Sequence, residues 1–549
     1  MKYNQAMRHL ALSCAGLYRW LMLLSALLIL ASPAPVFPED QSSSWTVYYI
    51  SPSGNDWNNG KSVDKPFKTF AHAFDKMSAG DELILQDGVY SEPAGTGYIS
   101  YTDYTQGVGG SRSGQIPSGL SNERMTYVHA MNPGKVTVIG ELFIGRSSRK
   151  DSYIRIQGIT FEGGGRLFNT SHVIIKDCGF HGGFSIGTND HPHGNEYNLI
   201  EDVWIWASGE RIIAINYRSR FNVWRRVLVR GDGCGKEFCR GESNPNVGIT
   251  VYDSSNVSLQ NVMVVDRILA PGDEPYGDFA VAQHSKGKHF FGKSEWLGTI
   301  SLRAPDTGYY MEPDHDGVVD PTIRISNAVA WDAAHLGFNL SRAGTNNELE
   351  NLTVRALGGD GVRIAPSLTS GSLRNVISVD APRNGINSRY PFSHVNVYNA
   401  RQGAYRQNHC STGCFSSNPR ADGKIPSLKY LVRIEPGSRL KGSGYQGNDI
   451  GANVLFRYGA DGSRHNDPDF NKLTTKPLWP WPNEARIKNE MCEKTGVTRG
   501  FCKAKSLTDY IWEYLGNPKP DDIYAPSAPA AGMKPLPEGV RGGLISAAP

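Results

Sequence analysis

The chain has 549 residues, is 39% hydrophobic and 20% charged, and carries a formal net charge of +4. Its length provides for a large core and by itself argues for more than one domain. The charge balance excludes the strong basic excess or stripe of a nucleic-acid-binding protein. Glycine is frequent, at 61 residues, and helix-period stretches are few, which points to strands and turns.

The N-terminus reads as a targeting segment. Lys2, Arg8 and Arg19 precede an apolar run, Leu21 to Ala31, and small residues and prolines follow. That run is too short to span a bilayer comfortably and fits an export signal over residues 1–34. An uncleaved anchor is the competing reading. Without the signal, the mature chain is near neutral and has no transmembrane span.

Cysteine usage agrees with export. Cys14 lies in the signal, and six others form close pairs: Cys234 with Cys239, Cys410 with Cys414, Cys492 with Cys502. Short-range disulfides in an oxidising compartment are the natural reading. Zinc is the competing one, but there is no CxxC pair, nor a CxxCH haem attachment. Cys178 is left over and reads as a small buried residue.

Between about 151 and 400 the sequence repeats. Short alternating segments recur: "SYIRIQGITF", "SHVIIKDCGF", "EYNLIEDVWI", "RFNVWRRVLV", "SNVSLQNVMV", "PTIRISNAVA", "NELENLTVRA" and "GSLRNVISVD", with a divergent unit, "KHFFGKSEWLG", near 288. Each has period two and one face to bury. None buries that face alone, so the units must stack as a solenoid. Asn261, Asn327, Asn351 and Asn375 recur where the strand bends and suggest side-chain ladders. The expected fold is all-β, a right-handed parallel β-helix of roughly ten or more coils. A propeller is the alternative, but it needs antiparallel hairpins whose turn signals are missing.

The stretch Tyr48 to Glu92 resembles the opening of bacterial β-helix proteins of the pectin-lyase-like superfamily. There a strand, a glycine-rich turn, an amphipathic helix and a "GD-x-I-x-L-x-x-G-x-Y" pattern begin the first coil; here the pattern runs from Gly80-Asp81 to Tyr90. The resemblance implies a helix near Phe67 to Met77 that closes the end of the core. The tail "LWPWPNEARIKNE…RGFC…LTDYIWEYLGNP" is similar to that of uncharacterised exported β-helix-repeat proteins. The resemblance specifies fold, while the superfamily hosts lyases, hydrolases, epimerases and non-catalytic proteins. The expected domains are a β-helix over 45–445 and a tail over 446–549 that packs on it or extends from it.

The second strands of the coils align as "GFSIGTND", "RIIAINYR", "VGITVYDS", "GDFAVAQH", "TGYYMEPD", "LGFNLSRA", "DGVRIAPS" and "NGINSRYP". The column Val251, Val281, Met311, Leu340, Ile364 should face inward. The flanking columns should face outward: Asn216, Tyr252, Glu312, Ser341 and Arg389 on one side, Thr250, Tyr310, Asn339, Arg363 and Asn387 on the other. The three longest coils, near 220–254, 255–286 and 287–320, are adjacent, and insertions in solenoids often wall a binding site. A polar groove over several coils suits an extended polysaccharide, with Tyr252, Tyr310, Asn339 and Asp253 as substrate contacts.

Lyases of the resembled superfamily abstract the C5 proton of a uronic acid, and need a base and a cation to neutralise the carboxylate. The resemblance makes Lys286, Arg342 and Arg363 candidates for the cationic roles and His284 a candidate base or acid. Glu312, Asp314 and Asp316 are candidate ligands of Ca²⁺, which takes several oxygens. "DHDG", from Asp314, is equally a good turn. The pattern "NTD…DD…GHG…RIK" of pectin-type hydrolases is not met, whereas "EPDHD" approaches the "DPHD" of mannuronan epimerases with one extra residue. The sequence reads as an exported lyase acting on an acidic polysaccharide. Alternatives are a non-catalytic glycan-binding surface protein, a uronan epimerase or a glycoside hydrolase. Oligomeric state is not legible.

Overall fold

Period-two strands that bury one face have only their neighbours to pack on, and the chain winds accordingly. The computed structural model describes residues 45–100, 112–187, 194–240, 246–282, 292–312, 322–341, 346–365 and 371–524. The predicted export signal lies outside them. Each central coil gives either one long bent strand, such as Leu199–Ala207, or two short ones, such as Ser258–Gln260 and Met263–Val265, to a 20-stranded sheet, and one strand to an 11-stranded sheet. Leu199 lies beside Val223, Val223 beside Ser258, and Ser258 beside Glu295, all parallel. Among the described residues the one antiparallel ladder is Phe456–Tyr458 with Leu473–Pro477, in the tail. The hairpins of a propeller are therefore absent there, and the fold is a right-handed parallel β-helix, the usual hand for parallel crossovers.

The bends fall where asparagine recurs. Asn261, Asn327, Asn351 and Asn375 have φ of 50°, 54°, 56° and 56°, a left-handed conformation that asparagine tolerates better than most residues. Asn375 donates to Asn351 Oδ1 at 2.9 Å, so the amides link adjacent coils. Inside, the aligned apolar column holds: Val251, Val281, Met311, Leu340 and Ile364 sit side by side and buried. Phe279, Tyr309 and Phe338 stack beside it at 4.7 and 4.4 Å.

One row of that alignment shifts. Asn216 pairs with Val251, and Tyr217 with Tyr252, so Asn216 faces inward and not outward as the alignment had it. Its amide oxygen accepts from Asn222 Nδ2 at 3.0 Å and Trp224 Nε1 at 3.4 Å, which lets an amide take a core position.

A helix, Phe70–Lys76, lies beside the first coil. Thr69 caps it by accepting from His72 N, and Phe70, Ala73 and Phe74 are buried in the core. Glycine is required nearby at Gly60, whose φ is 67° and whose missing Cβ is replaced by the Phe67 ring.

The outer face of the 20-stranded sheet is covered. Residues 428–523 contribute Trp479, Trp481, Met491, Phe501, Ile511 and Trp512 to a second apolar cluster with Trp204, Trp206, Met263, Ile300 and Trp331 of the sheet. Polar residues of that face are paired beneath the cover. Arg225 and Arg226 are fully buried. Arg225 donates to Glu201 at 2.8 Å, to Ala460 O at 2.8 Å and to Phe470 O at 2.9 Å. Arg226 grips Asp202 through two nitrogens and lies 2.9 Å from Asp461.

The cysteine pairs are all joined: Cys234–Cys239, Cys410–Cys414 and Cys492–Cys502. Cys178 is free and buried, and burial pushes its thiol up to about 12, so it is inert.

Candidate functional site on the second sheet

The outer face of the 11-stranded sheet has no comparable apolar cluster over it among the described residues. Alternation from the buried column turns two polar columns outward. One reads Tyr217, Tyr252, Ala282, Glu312; the other reads Thr250, Ala280, Tyr310, Asn339, Arg363, Asn387. Ala282 places only a methyl group between Tyr252 and Glu312, and Ala280 only one between Thr250 and Tyr310; the members of each pair are two strand spacings apart, about 9.6 Å along the stack.

Glu312 is the centre of the arrangement. It is 9% exposed, and both carboxylate oxygens accept hydroxyl protons. Tyr310 donates to Oε1 at 2.9 Å, Ser341 to Oε1 at 3.1 Å, and Tyr276 to Oε2 at 3.3 Å. The Tyr276 and Tyr310 rings lie 4.1 Å apart. Burial, with the Glu312 charge beside it, raises the Tyr310 phenol above its ordinary value. Tyr276 is raised further, again chiefly by burial. Both phenols therefore keep their protons at neutral pH. Asn339, 5% exposed, has a buried side-chain oxygen with no hydrogen-bond partner among the described residues.

Tyr276 arrives from an inserted segment, not from a strand. Arg267, fully buried, donates to Tyr276 O at 3.1 Å and to Asp278 Oδ1 at 2.8 Å. Burial pushes the Asp278 carboxyl up to about 6, against the lowering effect of Arg267. Asp273 accepts from the backbone of Cys234, Gly235 and Ala270, tying this segment to the disulfide loop.

Tyr252 stacks on Tyr217 at 5.1 Å with rings 7° from parallel. Asp253 follows at φ 45° and lies 3.4 Å from Arg218, which in turn sits over Tyr217. Tyr252, Tyr310, Asn339 and Glu312 thus share one face, and Asp253 flanks it. Arg363 is on the same face, exposed, one strand beyond Asn339. His284, Lys286, Arg342, Asp314 and Asp316 lie outside the described residues. Sequence reasoning missed Tyr276, because it falls in a non-periodic insertion; the aromatic in "GDEPYGD" was the available signal.

Of the expected Ca²⁺ ligands only Glu312 is described, and both its oxygens accept from hydroxyl donors; Asp314 and Asp316, which would supply further oxygens to an ion that takes six to eight, lie outside the described residues. Cys234, Cys239 and Asp273 converge, but the two sulfurs are bonded to each other and offer no thiolate.

No family model matches the chain. The uncharacterised protein YwoF of Bacillus subtilis (strain 168) is 22% identical over 343 residues, which is 56% of this chain and 68% of that one. Among solved structures, pectate lyase Pel9A is similar at 16% identity over 74% of this chain and 96% of that one, with a TM-score of 0.40. XylC in complex with xylose is similar at 9% identity, covering 68% and 87%, with a TM-score of 0.42. An N-terminal fragment of the bacteriophage Phi29 gene product 12 is similar at 15% identity, covering 63% and 62%, with a TM-score of 0.44.

Proposed function

We propose that this is an exported lyase that binds an extended acidic polysaccharide along the outer face of the second sheet and cleaves it by β-elimination. The observation that carries the reading is the 2.9 Å hydrogen bond from Tyr310 to the nearly buried Glu312 on that face. Glu312 takes the C5 proton as a carboxylate base. The C4–O4 bond then breaks, and the leaving oxygen receives the Tyr310 proton while protonated Glu312 returns one to the phenol. One proton moves from C5 to O4, and a C4–C5 double bond forms. A phenol with a raised pKa is suited to this, since it stays protonated until the leaving group develops charge. Tyr217 and Tyr252 supply a stacked aromatic wall for a sugar ring.

Elimination also needs a cation at the uronate carboxylate. Lys286, Arg342 and Arg363 are the candidates, and His284 is the alternative base. No step is assigned to Ca²⁺; assays with and without a chelator test for it. The test is the ultraviolet absorbance of unsaturated uronide on pectate, alginate and glycosaminoglycans. Product from the parent protein, with loss of turnover in Glu312→Gln and Tyr310→Phe, is expected. No product on any polymer sinks the lyase reading and leaves glycan binding without cleavage. Unimpaired turnover in Glu312→Gln moves the centre elsewhere, His284 first.

A further inference from the structure

The same outer face changes character past Asn339. Register carries the column from Asn339 to Arg363, Asn387 and Arg406, and Arg389, just past the end of the Asn384–Asn387 strand, is tied to Asn387 through Gln407. Arg363, Arg389 and Arg406 are all exposed. None of them makes an ion pair with a described carboxylate, although arginines elsewhere on the molecule repeatedly do, as in Arg355–Asp332 at 2.9 Å and Arg324–Glu295 at 3.2 Å.

The strip is also built, not merely basic. Arg389 Nε donates to Gln407 Oε1 at 2.9 Å, and Gln407 Nε2 donates to Asn387 Oδ1 at 2.7 Å. Asn387 Nδ2 in turn donates to Asp360 Oδ2 at 2.8 Å. Asp360, 4% exposed, is further held by Asn384 N and Nδ2. A buried carboxylate thus anchors a chain of amides that ends on an outward guanidinium. Its own charge is satisfied inside the wall. Such anchoring reduces the side-chain freedom lost on binding, and the remaining guanidinium donors match the oxygens of a carboxylate or sulfate.

We propose that Arg363, Arg389 and Arg406 form a subsite that holds the anionic groups of a polyanionic glycan. The inference rests on reading the second sheet as the glycan face, and it names what the C-terminal half of that face recognises. The anion is a planar or tetrahedral oxyanion on a chain long enough to cross three coils, about 10 Å. Uronate carboxylates and sulfate esters share this chemistry.

The test is calorimetric titration of the full chain with polygalacturonate, dextran sulfate and uncharged dextran, each at low and high salt. The parent protein should bind at least one polyanion, more weakly at high salt, and should not bind dextran. The combined variant Arg363→Gln, Arg389→Gln, Arg406→Gln should lose about tenfold or more in affinity, as expected for removing charge-assisted hydrogen bonds. A control with the same net charge change, Lys61→Gln, Lys65→Gln, Lys135→Gln at exposed sites far along the sequence, should bind like the parent. A preference for polygalacturonate or for dextran sulfate identifies the anion. No polyanion binding by the parent, equal affinity for dextran, or an equal loss in the lysine control overturns the proposal. Binding needs no turnover, so a protein that binds without cleaving sinks the lyase reading and leaves this subsite standing.

Discussion

The two sheets are made by the same coils and obey the same alternation, yet their outer faces have opposite fates. On the 20-stranded sheet the outward residues include Trp204, Trp206, Met263 and Trp331, and the tail buries them. On the 11-stranded sheet the outward residues are Tyr252, Tyr310, Glu312, Asn339 and Arg363. The charges differ as well. Arg225 and Arg226 beneath the tail are ion-paired with Glu201, Asp202 and Asp461, whereas Arg363 and Arg406 meet no described carboxylate. One face spends its side chains on holding the fold, and the other carries polar side chains, with Arg363, Arg389 and Arg406 exposed. That contrast locates the candidate site more firmly than any single residue does.

The contrast breaks most visibly by truncating the cover. Trp479→Ala removes a ring that is 1% exposed and should destabilise the fold by ~3–5 kcal/mol, read from the shift in urea midpoint. On the other sheet, Tyr310→Phe should cut turnover by roughly 10²–10⁴-fold with little change in that midpoint. If Tyr310→Phe destabilises as much as Trp479→Ala, the second face is structural after all.

Acid should act on the covered face first. Burial raises the Glu201 carboxyl, but the charges of Arg226, Lys176 and Arg225 outweigh it and bring the value down from 4.5 to about 2. Asp461 is likewise brought down from 3.8 to about 2, its burial outweighed by Lys476 and Arg226. Because both folded values are depressed, their stabilisation is present above the unfolded values and is lost as pH falls through the folded ones. The urea midpoint should therefore drop steadily between pH 4.5 and 2. Asp278 acts in the opposite sense in a higher window: its folded value is raised, so its contribution is lost as pH rises from 3.8 through about 6. A midpoint flat across the acid range would show that the Glu201 and Asp461 pairs do not hold the tail.

The smallest effects are expected at the exposed end of the comparison. Arg363→Gln should move the urea midpoint by no more than about 0.5 kcal/mol equivalent. Cys178 should stay unlabelled by a thiol reagent until the protein unfolds, while the six bonded cysteines require reductant as well. Labelling of Cys178 in the folded protein would contradict its burial.

Much of this was legible in the chain. The period-two units gave the solenoid, and the recurring asparagines marked the bends, because few other side chains accept a left-handed backbone. The aligned column from Val251 to Ile364 gave the register of the second sheet, which fixed Tyr310, Asn339 and Glu312 on one face. Asn216 was misplaced because polarity served as a proxy for outward direction, and an asparagine satisfied by Asn222 and Trp224 defeats that proxy. Tyr276 escaped because an insertion has no period from which a direction follows.

By itself, then, the sequence determined the winding, the hand of the alternation and the close cysteine pairs, all of which depend on contacts between neighbouring coils or neighbouring residues. Only the tertiary structure decided which outer face is covered, since that depends on a tail meeting strands more than 250 residues earlier, as Trp204 meets Glu490. It likewise decided that Glu312 sits among three hydroxyls. A carboxylate's partners are set by where separate coils and an inserted segment converge, and no local pattern carries that information.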